Sequence, residues 1–558
     1  MSDKATEITV GAYLFKRLHE FGVRGVHGVP GDFNLALLDL LEENGYAADG
    51  YARIKGMSAL ITTFGVGELS ALAAVAGSYS EHVPVVHIVG VPNTASQKQQ
   101  LLLHHTLGNG DFRVFSDMSK NISETFCTLN EAADYVEEID RVLRACWVRA
   151  RPVYIALPTN TVFQKVDGSR LKKPIPLELD LNPEDVEQEV VDQILDLMYK
   201  SQNTVILADA CSIRHRVLDE LHQLVMKTNL PTFVTPMGKG AVNETLGSFG
   251  GVYVGDVSRK DVKETVEGAD LVLFVGGLIS DFNSGGFTFH ISRNKSVEFH
   301  SDHMKVRYSE FPGITMKYVM QRLLNQIDMS KIRVTPTTII DNILPTRESQ
   351  SMTPDITHAW MWPRLGQWLR EKDVVITETG TAIFGLLETR FPADVTAISQ
   401  VLWGSIGYSV GALQGAALAV HEQKAERRVI LFVGDGSLQL SAQEISTIIR
   451  HGLTPIIFVI NNDGYTIERK IHGAEAKYND IHQWKYTKLL DVFNANPEKS
   501  KTYQVRTKTE MDKLLNNRLF ATGKYIELVE VFMPKQDAPR ALEVTAQKTA
   551  RLNKVLNV

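Results

Sequence analysis

VILFVGDGSLQLSAQEISTIIRHGLTPIIFVINNDGYTIE, residues 429–468, decides how this chain is read. Val429 to Val433 is an apolar run of strand length that stops at Gly434-Asp435-Gly436; Leu440, Ile445, Ile448 and Ile449 then recur at helical spacing, predicting a helix from about Ser437. A second run, Ile456 to Ile460, stops at Asn461-Asn462-Asp463-Gly464. In a parallel α/β sheet two such strands end on the same edge, and ligands bind there. The glycines beside Asp435 let a diphosphate approach the backbone, and the first turn of the next helix offers it unpaired N–H groups and a favourable dipole. Asp435 supplies a hard carboxylate oxygen, Asn462 an amide oxygen and Gly464 a backbone carbonyl, a donor set that suits Mg²⁺. A Gly-Asp-Gly alone is most often a plain turn; the strand before it, the helix after it and the Asn-Asn closing the next strand point instead to a site.

Outward from this stretch the chain alternates helix and strand. A helix Val10 to Phe21, a strand Val23 to His27, a turn Gly28 to Asp32 and a helix Asn34 to Glu43 open it. A helical segment Ala47 to Lys55, a strand Ser58 to Phe64, a helix Glu68 to Tyr79 and a strand Pro84 to Val89 follow, and the rhythm runs on to Val153–Pro158. After a polar connector, Lys165 to Asn182, strands are expected at Val205 to Ala208, Thr232 to Thr235 and Leu271 to Val275. Asp328 to Thr357, rich in Thr, Pro and Ser, reads as a linker. The last third carries a helix Trp360 to Glu371, a strand Val374 to Thr377, a turn Glu378 to Thr381, a glycine-punctuated helix Ser405 to Ala419 and a strand Tyr525 to Val531. The expected class is α/β, with three doubly wound parallel-sheet domains at 1–182, 183–345 and 346–558, the first and third alike in rhythm. One place breaks the pattern: only Asn44-Gly45-Tyr46 separates two helices where a strand is due.

The 558 residues exceed one core, and 44% hydrophobic with 22% charged residues is the composition of an ordinary globular protein. A net charge of −6, spread without long runs of one sign, argues against a nucleic-acid or membrane surface. Cys127, Cys146 and Cys211 lie far apart with no metal spacing and read as reduced thiols. MSDKATEITV has no apolar core of signal type and no stretch reaches transmembrane length, so a cytoplasmic location is expected.

His104-His105 stands on an expected loop, in a domain that also offers Asp32 beside glycine; such a group can handle protons. Glu468 lies on the first turns of a helix leaving the Asn462 strand.

VPGDFNL (29–35), YAADGYARIKG (46–56), TTFGVGELSAL (62–72), LLLHHTLGNGDF (101–112), ETGT (378–381), ISQVLWGSIG (398–407) and GDGS…NNDGYTIE (434–468) together resemble the fungal pyruvate decarboxylases, thiamin-diphosphate-dependent 2-oxo-acid decarboxylases. The resemblance runs over nearly the whole chain. It implies non-oxidative decarboxylation of a small 2-oxo acid, most simply pyruvate to acetaldehyde and CO₂, with thiamin diphosphate and Mg²⁺ as cofactors. It implies that Asp32, His104, His105 and Glu468 surround the reacting carbon and relay protons. It also implies that Asp435, Asn462 and the Gly464 carbonyl hold Mg²⁺ on a diphosphate seated against Gly434, Gly436 and Ser437. Ile406 would lie under the bent cofactor, Gly404 would orient its amino group, and Thr379 and Thr381 would lie close to cofactor and substrate. Phe282, Ile383, Ile467 and Ile471 would wall an acyl pocket too small for phenyl or indolyl groups. Cys211, in ADACSIRH, resembles a cysteine implicated in substrate activation, although a buried structural thiol at a strand end fits it equally. The family places its cofactor between the first domain of one subunit and the third of another, so a homo-oligomer is expected, at least a dimer and usually a tetramer. A non-catalytic paralogue and a decarboxylase of branched or aromatic 2-oxo acids are the alternatives.

The chain departs from the family at one point. LLDLLEEN runs straight into GYAADG, where relatives carry a turn, a strand and a glutamate that activates the pyrimidine; about a dozen residues are wanting, enough for one strand and its turn. Neither Glu42 nor Glu43 is placed by spacing at the pyrimidine. A misassigned exon in a working enzyme is the favoured explanation, ahead of residues omitted from a larger protein or true loss of cofactor activation. Losing a central strand would strip ladder hydrogen bonds from its neighbours and open the first domain's core, and little or no acetaldehyde is expected from the chain as it stands.

Overall fold

The computed structural model describes residues 7–39, 47–131, 133–335 and 353–556. It divides into two compact units, one of Met1–Leu179 with Val410–Glu426 and Gln443–Leu453, the other of Asp180–Ser409, Arg427–Ala442 and Thr454–Val558.

In the first unit β1 (Glu7–Thr9) pairs antiparallel with β7 (Lys165–Asp167). Between them β2 (Val26–Gly28), β3 (Ser58–Thr63), β4 (Val85–Val91), β5 (Phe126–Thr128) and β6 (Val153–Pro158) form one parallel sheet in the order β2-β3-β4-β6-β5. Its strands are apolar because helices cover it. Val10, Tyr13, Leu14 and Leu18 of the helix Val10–Glu20 join Ile139, Val142, Leu143 and Cys146 of the helix Tyr135–Arg149 in one core with Ile61, Ile88 and Ile155. Arg17, buried, ties the two helices through two hydrogen bonds of 2.8 and 2.9 Å to the Asp140 carboxylate. The helix Ala48–Lys55 packs directly on the 410–426 segment: a Cβ on Gly50 would lie 2.1 Å from the Ala412 carbonyl oxygen, and one on Gly415 would lie 2.0 Å from that of Ala47. The Tyr51 hydroxyl donates to Glu422 at 2.6 Å across the same contact.

The expected strand Val23 to His27 begins later, at Val26, because Gly22 takes a left-handed φ of +82° and the Val23 N–H is spent on the Leu18 carbonyl closing the preceding helix. The helix expected from Asn34 to Glu43 is seen over Leu35–Leu38; Leu40 to Tyr46, including Glu42, Glu43 and the Asn44-Gly45 junction, lie outside the described residues. Among the described residues β2 is an edge strand and pairs with β3 in direct register, Val26 opposite Ala59 and Gly28 opposite Ile61, so the ladder between these two strands is continuous.

The second unit holds two sheets. β8 (Thr204–Ala208), β9 (Thr232–Val234), β10 (Phe249–Val252), β11 (Leu271–Val275), β12 (Ser296–Phe299), β13 (His303–Val306) and β14 (Ser309–Pro312) are ordered β10-β9-β8-β11-β12-β13-β14. The first five are parallel, whereas β13 and β14 add an antiparallel hairpin at one edge that the alternation did not suggest. β15 (Val374–Thr377), β16 (Thr396–Ile398), β17 (Val429–Gly434), β18 (Ile456–Asn461), β19 (Ser500–Val505) and β20 (Ile526–Phe532) make a parallel sheet in the order β16-β15-β17-β18-β20-β19.

Set beside the first sheet, β15, β17, β18, β20 and β19 correspond to β2, β3, β4, β6 and β5, and β16 alone has no counterpart among the described residues. The chain lengths agree. Twenty-one residues (387–407) separate the helix after β15 from the helix before β17, and nine (39–47) separate the equivalent helices after β2 and before β3.

Two helices beside the carboxy-terminal strand ends depart from the expected bounds. The helix expected from Ser437 is broken into Asp435–Gln439 and Glu444–Arg450, and Leu440, read as apolar-face, is 56% exposed at the break. There Ser441 Oγ donates to the Gly407 carbonyl at 2.6 Å while Gly407 N–H donates to Ser437 Oγ at 3.1 Å, bonds a continuous helix would not present. The helix expected from Ser405 begins at Tyr408, since Gly404 and Gly407 have φ of +64° and +90°. Of the expected linker, residues 336–352 lie outside the described residues.

Candidate active site

Three neighbouring parallel strands of the carboxy-terminal sheet deliver its polar groups to one edge. β15 is followed by Glu378 to Thr381 and the helix Thr381–Leu386, β17 by Asp435 at the start of its helix, and β18 by Asn462, Asp463 and Gly464. The chain leaves β15 in one direction for β16 and returns on the other side as β17, so this is the switch point at which open α/β sheets bind ligands. A cavity of about 210 Å³ opens there, lined by Glu378, Thr379, Thr381, Gly404, Ile406, Gly434, Asp435, Gly436, Ser437, Asn462, Gly464 and Glu468. Its other wall is apolar: Phe282, Ile383, Phe384, Leu387, Ile467 and Ile471, with Val254 and Val257 from the segment after β10 and Thr545 from the helix Arg540–Leu556.

Asp435 is buried, and its oxygens accept from Gly436 N–H at 2.8 Å and Gly464 N–H at 3.0 Å. Burial pushes its carboxyl up to about 6, against those two bonds, and the Asp463 charge adds to the rise. Asn462 is 3% exposed and its Oδ1 has no hydrogen-bond partner. A buried amide oxygen left unpaired is costly and marks a place made for a ligand. Gly464 has φ +113°, and a Cβ on Gly436 would lie 2.7 Å from the Tyr465 ring, so neither position admits a larger residue. A carboxylate raised by burial, an orphaned amide oxygen and a glycine-lined helix start fit a divalent cation carrying a diphosphate.

Nothing in the sequence marks the role of Glu378. Its carboxylate accepts from the N–H groups of Gly380 and of Ala382 (3.0 Å), holding the turn that presents Thr379 and Thr381. Burial raises it to about 7, those two bonds oppose the rise, and the Asp435 charge adds to it. Tyr465 and Thr466, inside the NNDGYTIE stretch, also line the cavity; Leu387 and Thr545 do so with no signal in sequence, because packing between elements distant along the chain brings them there.

The first unit carries the second cluster. His104 Nε2 is hydrogen-bonded to Asp32 Oδ2, and His105 Nε2 lies 3.8 Å from Asp32 Oδ1. Phe33 stacks on His104 with ring centres 5.0 Å apart, and the two imidazoles meet edge to face at 4.7 Å. Of the four residues expected to relay protons, Asp32, His104 and His105 therefore stand together, while Glu468 belongs to the cavity of the second unit. Cys211 is a buried thiol in the helix Ala210–Arg214, just past the end of β8; its N–H donates to Gly276 O at 2.9 Å. Among the described residues no helix is long and apolar enough to cross a membrane.

Comparison with known proteins accounts for the division of labour. Residues 8–112 match the family described as thiamine pyrophosphate enzyme, N-terminal TPP binding domain; residues 191–327 match its central domain and residues 382–526 its C-terminal TPP binding domain. A pyruvate decarboxylase of Aspergillus fumigatus is 55% identical over 560 residues, covering 98% of each chain. Pyruvate decarboxylase isozyme 2 of Saccharomyces cerevisiae is 50% identical over 562 residues, covering 98% of this chain and 99% of its own. The crystal structure of benzoylformate decarboxylase from Polynucleobacter necessarius aligns over 95% of this chain with a TM-score of 0.74 at 18% identity, a likeness of fold. With the diphosphate-type edge in one sheet and the histidine pair in another, and with relatives this similar from end to end, the chain belongs to the thiamin-diphosphate-dependent pyruvate decarboxylase family.

Proposed function

We propose that this protein carries out the non-oxidative decarboxylation of pyruvate to acetaldehyde and CO₂, using thiamin diphosphate and Mg²⁺, in the cytoplasm and as a homo-oligomer. The observation that carries the reading is the orphaned Asn462 Oδ1, which shares one cavity with a buried Asp435 and a short aliphatic wall. Asp435, Asn462 and Gly464 would hold Mg²⁺ on the diphosphate, and a cation there supplies the positive charge that burial denies the carboxylate. Bound thiamin diphosphate supplies the nucleophilic carbon and the electron sink that decarboxylation needs. Thr379 and Thr381 orient the oxo acid, and the wall of Phe282, Ile383, Ile467 and Ile471 excludes water while admitting a small acyl group. Asp32, His104, His105 and Glu468 hold and return the proton that converts the decarboxylated acyl group to an aldehyde.

The oligomer reading draws on the surface beside the histidines. Leu101, Leu102 and Leu107 are 42%, 74% and 60% exposed, a density of bare leucine that favours a protein neighbour. Light scattering of the purified protein tests it, with a dimer or tetramer expected and a monomer excluding it.

The function is tested by coupling acetaldehyde to NADH oxidation, with and without thiamin diphosphate and Mg²⁺. Cofactor-dependent NADH loss with pyruvate, faster than with 2-oxoisovalerate or phenylpyruvate, is expected; faster turnover of either larger acid would reassign the substrate. A second reading rests on the short connection between β2 and β3, which leaves β2 without an outer neighbour among the described residues. In that reading the chain binds cofactor without turning over pyruvate, and cofactor binding with no acetaldehyde would support it.

A further inference from the structure

Glu68 is a buried carboxylate that the proposed reaction does not use. It stands third in the helix Val66–Ser80, directly after β3, the strand that corresponds to β17. It is thus the first unit's analogue of Asp435, in different surroundings. Both carboxylates have each oxygen engaged within the fold, but Asp435 lines a cavity beside the orphaned Asn462 oxygen, whereas Glu68 ties a helix start to a strand: Oε1 accepts from Gly65 N–H at 2.9 Å and Oε2 from the Tyr154 hydroxyl, on β6, at 3.0 Å. Burial pushes its carboxyl up to about 7, the Gly65 and Tyr154 bonds pulling it part of the way back. Burial and the neighbouring Glu68 in turn hold the Tyr154 hydroxyl well above the ordinary range.

What Glu68 holds is the floor beneath His105. Gly65 has φ +69°, and a Cβ there would lie 2.2 Å from the His105 carbonyl oxygen and 3.2 Å from the Phe115 ring, so the His105 backbone rests directly on this glycine. His105 itself is held at φ +64°, a left-handed conformation that a histidine keeps only when its surroundings impose it. Phe64, the residue before Gly65, packs edge to face with Phe33, whose ring also stacks on His104.

We propose that Glu68, braced by Tyr154, is a positioning residue for the histidine pair: it fixes the Gly65 amide so that His105 is held in its left-handed conformation beside Asp32. The proposal rests on the assignment of Asp32, His104 and His105 to proton handling, but its test does not require turnover. In the full-length protein, carbethoxylation of His104 and His105 by diethyl pyrocarbonate is followed by peptide mass spectrometry, alongside thermal melting. E68A is expected to speed modification of His105 about fivefold, the shift that accompanies loss of one buried hydrogen bond. E68Q retains an acceptor for Gly65 and can donate to the Tyr154 oxygen, and is expected within about twofold of wild type. An E68A protein that melts cooperatively and modifies His105 at the wild-type rate would overturn the proposal, as would an E68Q protein that behaves like E68A. Should E68A not fold, Y154F leaves the Gly65 bond and removes only the brace; about a twofold acceleration supports the proposal and an unchanged rate refutes it. If the histidine rates move as expected while thiamin diphosphate fails to bind, the functional reading falls and the positioning role stands.

Discussion

Among the described residues the two cofactor-type sheets, one near each end of the chain, differ by one strand. Both are parallel, with matching orders over five strands, yet the carboxy-terminal sheet carries β16 beyond β15 and the described amino-terminal sheet ends at β2. In the first case the chain has twenty-one residues with which to build that edge, in the second nine. A strand lost from an edge costs its neighbour one row of ladder bonds and leaves the core between helices and sheet closed, which is why Ile61, Ile88 and Ile155 remain fully buried. The switch point suffers more than the fold. With β16 present, strand order reverses at β15 and the edge beside β17 holds the buried Asp435–Asn462 pair; among the described residues the amino-terminal sheet shows no such reversal at β2.

This comparison can be broken most directly at the short connection. Inserting the strand-plus-glutamate segment of the Aspergillus fumigatus relative between Asp39 and Ala47 is expected to raise acetaldehyde formation about 10²- to 10⁴-fold, the usual reach of a positioned acid–base group. Equal rates with and without the insertion would show that the missing edge is catalytically silent. On the intact side, Asp435→Ala should weaken Mg²⁺-dependent thiamin diphosphate binding about 100-fold in a fluorescence titration, with Asn462→Ala close behind. Binding unaffected by both would deny the carboxy-terminal edge its role.

Ile383→Ala sharpens the picture of the cavity wall. It should improve kcat/KM for 2-oxoisovalerate relative to pyruvate about tenfold, the discrimination that a few methylenes allow. The smallest effect concerns Glu378. Its native value of about 7 stands above the ordinary carboxyl value of about 4.3, so the folded chain binds more protons than the unfolded. Stability contributed by the protonated group is therefore lost as pH rises from about 4.3 to about 7 and levels above that. Relative to E378Q, the wild-type protein with chelator present should lose about 2–4 °C in Tm between pH 5 and pH 8 by scanning calorimetry. A difference independent of pH would mean that Glu378 keeps an ordinary carboxyl value.

Much of the site was legible because its residues sit at strand ends that local patterning marks. Gly434-Asp435-Gly436 and Asn461-Asn462 each follow an apolar run, and an apolar run that stops at glycine or asparagine predicts a strand terminus without any knowledge of partners. The tandem His104-His105 was visible as a loop between an apolar triplet and Gly108, and the shortfall near Asn44 showed as a helix following a helix. The break at Leu440 was not visible. Helical spacing continues through it, and the interruption is imposed by Gly407, more than thirty residues away in sequence. Similarly, nothing near Thr545 marks it as part of a cavity wall, and nothing near Glu68 shows that Tyr154 will meet it.

The amino-acid order by itself determined the alternation of helix and strand, the motifs at the strand ends and the place where a helix follows a helix, because each depends on residues within one or two turns of one another. Tertiary structure alone decided that β2 pairs directly with β3 at the edge of the described sheet, that Asn462 is left with an unpaired oxygen beside Asp435, and that Glu68 stands under His105. Those outcomes depend on which strands become neighbours, and pairing between segments far apart in the chain is chosen by the burial of whole faces, a quantity that no local stretch contains.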